Sequence, residues 1–457
     1  MSEETVVHLR TEGDINAGAE RKAWSLANID PATKAILDAD EKYFLHQSLS
    51  TPCLDVLTSC EGIYITNVRG SRYMDFHGNN VHQLGYRNEY ILNRVKEQMD
   101  LLPFSPRRFT NTVAVGLAER LASLTDGVLS RILFAPGGTS VMGIALKLAR
   151  VVTGKYKTIS MWDSFHGASM DSIAVGGEYM FQQDIGPLIP GNIHVPAPDN
   201  YRGMWLKENG EGNDIAYADY IDYVIEKEGD IGAVVAETIR STDVRIPSKA
   251  YWKRIREICD KRGVLLILDE IPICMGRTGT MFAYQQYDIQ PDIMVLGKGL
   301  GAGLIPMAAM LCRDEHNVAA HISLGHYTHE KNPLGATAAL AAFDYMQENN
   351  VLRHVKEMES FMCARMSALQ QKFDVIGQVR GMGLLWGVEL VKDRGTKEHH
   401  PVFAEKVLYR CLTNGLSFKV SAGNVLSLYP PLIITREELA RAMDILEEAI
   451  EFVRYEV

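Results

Sequence analysis

One amine and one carboxylate in this chain stand in settings that invite chemistry. Asp269 closes an apolar run, VLLILD, and Lys298 follows a second, DIMVLG, inside the glycine-rich GKGLGAG. Residues at the end of a buried strand are held by the core yet reach a ligand. A lysine so placed condenses with an aldehyde, and a carboxylate so placed pairs with a protonated ring nitrogen. Those are the two needs of pyridoxal 5′-phosphate (PLP), an imine-forming lysine and a charged partner for the pyridinium. The plainer reading of Lys298 is a surface lysine in a loop. The pairing with Asp269, with Gly276-Arg277-Thr278-Gly279 between them, counts against it.

Three further places carry chemistry more weakly. Phe134-Ala135-Pro136-Gly137-Gly138-Thr139-Ser140 leads into a helical pattern, so backbone N–H groups and a helix dipole would face an anion there. Alone it reads more readily as a turn with an N-cap. Trp162-Asp163-Ser164-Phe165-His166-Gly167 ends another apolar run; Phe165 would stack on a ring, or be plain core like His166. Glu237 ends GAVVAE, where parallel sheets bind ligands, or it is a solvated strand-end acid.

These residues need elements to position them. From about residue 131, short apolar runs (RILFAP, KTISMW, GAVVAE, VLLILDE, DIMVLG, AAMLC) alternate with longer amphipathic stretches. That rhythm predicts βαβ units and a parallel sheet, and short β-branched runs bounded by glycine argue against an all-α array. Helical spacing also appears over 88–101 and 112–125, and residues 333–372 read as long helices. Gly62–Thr66 and Arg72–Phe76 read as a β-hairpin, and VIGQVR, LLWGVEL and LSLYPPLII as a second, smaller α+β part. The expected organisation is an arm (1–50), a small α+β domain (51–85 with 345–457) and a large α/β domain (86–344).

Composition narrows the function classes. A net charge of −10 over 457 residues gives no footprint for nucleic acid. The seven cysteines are scattered with no CxxC pair, so neither a zinc site nor a disulfide framework is expected. The N-terminus lacks a signal-peptide pattern and no apolar run approaches a membrane span, which predicts a cytoplasmic protein.

The stretch from strand-Asp-Glu through GRTG to PDI-x-x-LGKG resembles the class III, fold-type I aminotransferases, and the likeness runs from about 50 to 450. FAPGGTSVMGIALKLAR is similar to that family's phosphate loop, WDSFHGAS to its ring-stacking segment, HYTHEKNPLGATAALA to the segment lent across its dimer interface, and VRGMGLLWGVEL to a segment carrying an anion-binding arginine. The resemblance implies an α/β fold with a mainly parallel sheet flanked by helices, PLP as cofactor, no metal, and a homodimer with shared active sites. It implies that Lys298 forms the imine and moves protons, and that Asp269 pairs with the ring nitrogen. Phe165 and Ile271 would hold the ring faces, Glu237 would adjoin the cofactor, and Gly138 and Thr139 would hold the phosphate with the partner's Thr328. Arg380 would clamp the substrate anion.

Departures from the family suggest the substrate. Pro272 stands where a glutamine is usual, Ser140 where an acid is usual, and Arg240 where glutamine is common. Asn79 lies in the donor-rich Phe76-His77-Gly78-Asn79-Asn80, and Arg107 and Arg108 in a segment that often lines the entrance. Added donors and cations suit a phosphonate. The pattern STPCLD, DFHGNNVHQLGY, FSPRRFTN and FAPGGTSV resembles a subfamily of ammonia-lyases acting on (R)-1-hydroxy-2-aminoethylphosphonate. The implied reaction is elimination to phosphonoacetaldehyde and ammonia. The competing readings are an ω-aminotransferase using a 2-oxo acid, a phospho-lyase on an amino-alcohol phosphate, and a non-catalytic protein of the same fold.

Overall fold

A computed structural model describes residues 18–47, 53–209 and 211–456. The organising element is a seven-stranded sheet built from β1 (Arg131–Ala135), β2 (Lys157–Met161), β3 (Asn192–Val195), β4 (Ile231–Glu237), β5 (Leu265–Asp269), β6 (Ile293–Leu296) and β7 (Ala308–Cys312). Their order is β1-β7-β6-β5-β4-β2-β3. β7 runs antiparallel to both its neighbours, and every other pairing is parallel. Strands β5, β6 and β7 are buried along their whole length, which is why they read as unbroken apolar runs rather than alternating ones.

Helices cover the sheet. Gly138–Thr153 follows β1 and buries one side among Val141, Ile144, Ala145 and Leu148, and it ends on Gly154 in the left-handed region. Lys249–Arg262 starts on Ser248, whose hydroxyl accepts from Tyr251 N, and ends on Gly263 in the same way. The two helices expected over 333–372 are Pro333–Glu348 and Val351–Lys372.

The hairpin expected near 62–76 is present as Tyr64–Asn67 against Arg72–Asp75. Leu416–Ser417 then pairs in parallel with Arg72–Asp75, joining the first part of the chain to the last. A third sheet contains Ile376–Met382, Leu385–Leu390, Val425–Leu428 and Lys419–Ser421. Arg277, fully buried, donates to the carbonyls of Leu384 and Pro430 and ties this sheet to the large one. The arm reads as helix over Ala19–Asn28 and Pro31–Tyr43; Trp24 packs toward Tyr409 at 6.3 Å. The rest of the arm, 1–17 and 48–50, and the first two residues of the expected small domain lie outside the described residues. The edge strand β3 was not legible, because NIHV has only two apolar residues between proline-bounded loops. No described helix is long and apolar enough to cross a membrane.

Candidate active site

Parallel register brings the chemical residues to one edge. Glu237 lies opposite Asp269 and Asp269 opposite Val295, so β4, β5 and β6 end side by side. Lys298 follows β6 after a single glycine, with φ at 45°. That left-handed backbone is costly for lysine and is held by the tight turn Lys298–Gly301. A Cβ on Gly299 would sit 2.3 Å from the amide end of Gln83, so a larger residue there would push that side chain aside. Burial pushes the Lys298 amine below its ordinary value, although Asp269 and Glu237 draw it back up. A lowered amine supplies more of the neutral, nucleophilic form.

Asp269 is buried and doubly held. Oδ2 meets His166 Nδ1 at 2.8 Å, and Oδ1 accepts from Ile271 N at 3.0 Å. The other nitrogen of His166, Nε2, is buried without a partner among the described residues. Glu237 accepts from Phe165 N at 3.2 Å and Ser241 N at 3.3 Å, which places Phe165 above this row. Burial pushes Glu237 up, against the pull of Arg240 and His166.

An anion cradle lies at the end of β1. The helix Gly138–Thr153 begins on Gly137 with no side-chain cap, so its first N–H groups are unpaid by the protein's own side chains. Thr139 Oγ1 lies within a hydroxyl cluster, 3.0 Å from Ser172 Oγ, and accepts from Ser169 N at 3.1 Å. A Cβ on Gly138 would come 2.8 Å from Ile271 Cδ1, so the close approach of cradle and Ile271 needs that glycine.

A cavity of about 780 Å³ opens beside Lys298. His77, Asn79, Asn80, Phe165, Glu237 and Pro272 line it, and Lys419 and Arg21 stand on the same wall system. Asn80 Oδ1 is buried without a partner among the described residues, close to the rim that Pro272 also lines. Burial pushes the Lys419 ammonium down to about 8.

Other expected residues lie elsewhere. Arg380 lines a separate cavity of about 180 Å³. Its guanidinium is used on Glu389 Oε2 (2.6 Å), Gln378 Oε1 (2.8 Å) and the carbonyls of Asp243 and Val244. Arg240 is buried and donates to Asp163 O and Asp243 Oδ1, both at 2.6 Å, and to Glu178. Both were expected to bind the substrate; in this structure carboxylates and carbonyls of the protein accept from their donors. Arg107 is exposed and meets the imidazole of His326 at 2.7 Å. Thr328 lies in a turn beside Tyr327, away from the lining of the main cavity.

Sequence reasoning passed over Asp75 and Lys419, read His166 as core, and gave His77 no role beyond its donor-rich segment. His166 had a signal, adjoining Phe165 at the end of β2. Lys419 had a fainter one, a lone cation in the short run LSFKV.

The fold and this row of residues define a class. The class III aminotransferase family model matches residues 46–450, and the chain belongs to that family. It is 54% identical over 97% of its length, and 95% of the relative's, to the (R)-1-hydroxy-2-aminoethylphosphonate ammonia-lyase of Vibrio splendidus. Among solved structures it is similar to a Bacillus anthracis aminotransferase (TM-score 0.85, 28% identity, 92% of this chain and 98% of that one). It is also similar to taurine:2-oxoglutarate aminotransferase from Bifidobacterium kashiwanohense, solved with PLP and glutamate (TM-score 0.86, 26% identity, 92% and 98%). The chain is a PLP enzyme, and its residues fit the cofactor. An amine, a His-braced carboxylate one strand away and an uncapped helix start stand at one sheet edge.

Proposed function

We propose that this enzyme is an ammonia-lyase converting (R)-1-hydroxy-2-aminoethylphosphonate to phosphonoacetaldehyde and ammonia. The observation that carries the reading is the 54% identity to the Vibrio splendidus lyase along nearly both whole chains. The cavity supports it, because two cationic side chains, Lys419 and Arg21, share with Lys298 a space of about 780 Å³. A phosphonate's charge and multiple acceptor oxygens suit such a wall.

When bound, PLP supplies an electrophilic aldehyde and a ring able to take up the electron pair left by a departing proton. In this reading Lys298 would hold that aldehyde, and its nitrogen would remove a proton from the amine-bearing carbon of the substrate. Asp269 holds the ring nitrogen protonated, and His166 keeps the carboxylate oriented. The helix start at Gly138 and the Thr139 hydroxyl hold the phosphate. Ile271 and Phe165 take the two ring faces, with Glu237 fixing the Phe165 backbone. Lys419 takes over the phosphonate role expected of Arg380, and Asn79 offers its amide at the cavity mouth.

The reading includes a homodimer in which the partner's Thr328 completes the phosphate site. Supporting it, Met99, Leu101, Phe104 and Phe109 stand exposed in one segment, and Phe104 packs on His329 beside Thr328 at 5.3 Å. It also includes a cytoplasmic setting, consistent with seven free cysteines, and the division into arm, small and large domains, consistent with the pairing of 72–75 to 416–417.

The test is ammonia release by purified enzyme from the hydroxylated aminophosphonate with no keto acid present. Release supports the lyase. The second reading, amino transfer, is favoured by the aminotransferase neighbours, and turnover that waits for pyruvate or 2-oxoglutarate would establish it instead.

A further inference from the structure

Hydroxide leaves carbon poorly, so the proposed elimination needs a proton delivered to the departing oxygen. Lys298 is already committed to the proton on the neighbouring carbon. The other groups on the cavity wall are mostly engaged. Asp55 is paired with Arg69 at 2.6 Å and with Asn67 at 2.9 Å. Glu237 accepts two backbone N–H groups. The Tyr429 hydroxyl donates to the backbone carbonyls of Ser241 and Thr242.

His77 differs. It is half-buried on the cavity, and the charges of Lys298 and Asp75 both bear on it. Among the described residues none is hydrogen-bonded to its imidazole, while its backbone is tightly held. Asp75 Oδ1 accepts from His77 N at 2.9 Å and Gly78 N at 3.1 Å, and Asp75 Oδ2 accepts from the Tyr86 hydroxyl at 2.6 Å. The three residues that follow, Gly78, Asn79 and Asn80, have φ of 44°, 47° and 59°. Asparagine is, after glycine, among the residues that most readily take up left-handed backbone, so these positions fix the shape of the loop. The loop is thus anchored immediately after a histidine on the reaction cavity.

We infer that His77 delivers the proton to the departing hydroxyl oxygen. The inference rests on the lyase reading. The C–O bond breaks, its electron pair leaves with oxygen, and that oxygen takes the His77 proton and departs as water. The pair freed when Lys298 takes the carbon-bound proton forms the new C=C bond. The Lys298 proton returns to carbon as the enamine becomes an imine, His77 is reprotonated from solvent, and hydrolysis consumes one water. No oxidant or reductant is needed. Burial and Lys298 lower the basicity of His77 while Asp75 raises it, and the negative charge of a phosphonate entering the cavity raises it further, toward the proton-donating imidazolium.

The test compares wild type with His77→Asn and His77→Gln on three probes. The first is ammonia release from the hydroxylated substrate, expected to fall ~10²–10⁴-fold in both variants. The second is 2-aminoethylphosphonate, which has no leaving group. Its calorimetric Kd, and deuterium exchange at its amine-bearing carbon, are expected to stay within about two-fold of wild type. The third is the 1-fluoro analogue, whose leaving group needs far less help from a proton. Its elimination is expected to recover most of the loss. Ammonia release near the wild-type rate in the variants overturns the inference. So does exchange, or binding, that falls in step with release, since that marks a positioning or folding role. If wild type releases no ammonia without a keto acid, the lyase reading itself has failed and the inference goes with it.

Discussion

The amine of Lys298 sits in a place that makes it reactive. Its side chain opens onto the cavity, its backbone is left-handed, and two carboxylate-bearing strand ends lie to one side of it. Lys298→Ala is expected to lower kcat by roughly 10³-fold or more, with loss of the imine absorbance of the resting enzyme. Lys419 makes a sharper test of substrate choice. In this reading it meets the phosphonate in ground state and transition state alike, so Lys419→Met should raise KM by about 10²-fold with kcat little changed. Lys419→Arg should keep most of the affinity, because the cation is retained. Initial rates over a range of aminophosphonate concentrations separate the two outcomes.

The strands that carry these residues are locked from their far ends. Asp292 immediately precedes β6, whose opposite end leads to Lys298. Its Oδ2 accepts from Leu266 N of β5 at 2.7 Å and from Arg256 Nη1 at 2.8 Å. Burial opposes ionisation, but His316, Arg256 and the Leu266 amide outweigh it and hold the carboxyl down at about 2. The folded value lies below the ordinary carboxylate value of about 3.9, so the stabilisation is full above that pH and fades as pH falls toward 2. Asp292→Asn should therefore lower Tm at neutral pH, by a change worth about 2–3 kcal/mol, and flatten the loss of stability between roughly pH 4 and 2. Thermal melts of both proteins across that range check it. Much of this level was legible beforehand. VLLILDE and DIMVLG announced two buried strands, one ending on Asp269 and the other two residues before Lys298. The reversal of β7 was not legible, because AAMLC is apolar throughout and a fully buried strand reads the same in either direction.

At the scale of the whole molecule, the chain leaves an apolar segment around 99–109 exposed, beside the turn that holds Thr328. The proposed dimer covers it. Sedimentation equilibrium should give twice the mass of one chain, and Phe104→Asp with Phe109→Asp should shift the species to monomer and weaken PLP retention together, if the partner completes the phosphate site. From sequence alone came the class of fold, and the proposal of the lysine, its carboxylate and the phosphate loop. Each is a local signal, a residue type fixed to the end of an element whose periodicity is visible. Which cations carry internal ion pairs was decided by tertiary packing. Arg240 and Arg380 are cations in sequence, but folding brings Glu178, Asp243 and Glu389 onto their guanidinium groups, and it places Lys419, on a short strand of the C-terminal sheet, in the lining of the cavity. Glu178 lies 62 residues from Arg240 along the backbone, so no local pattern could announce that pair.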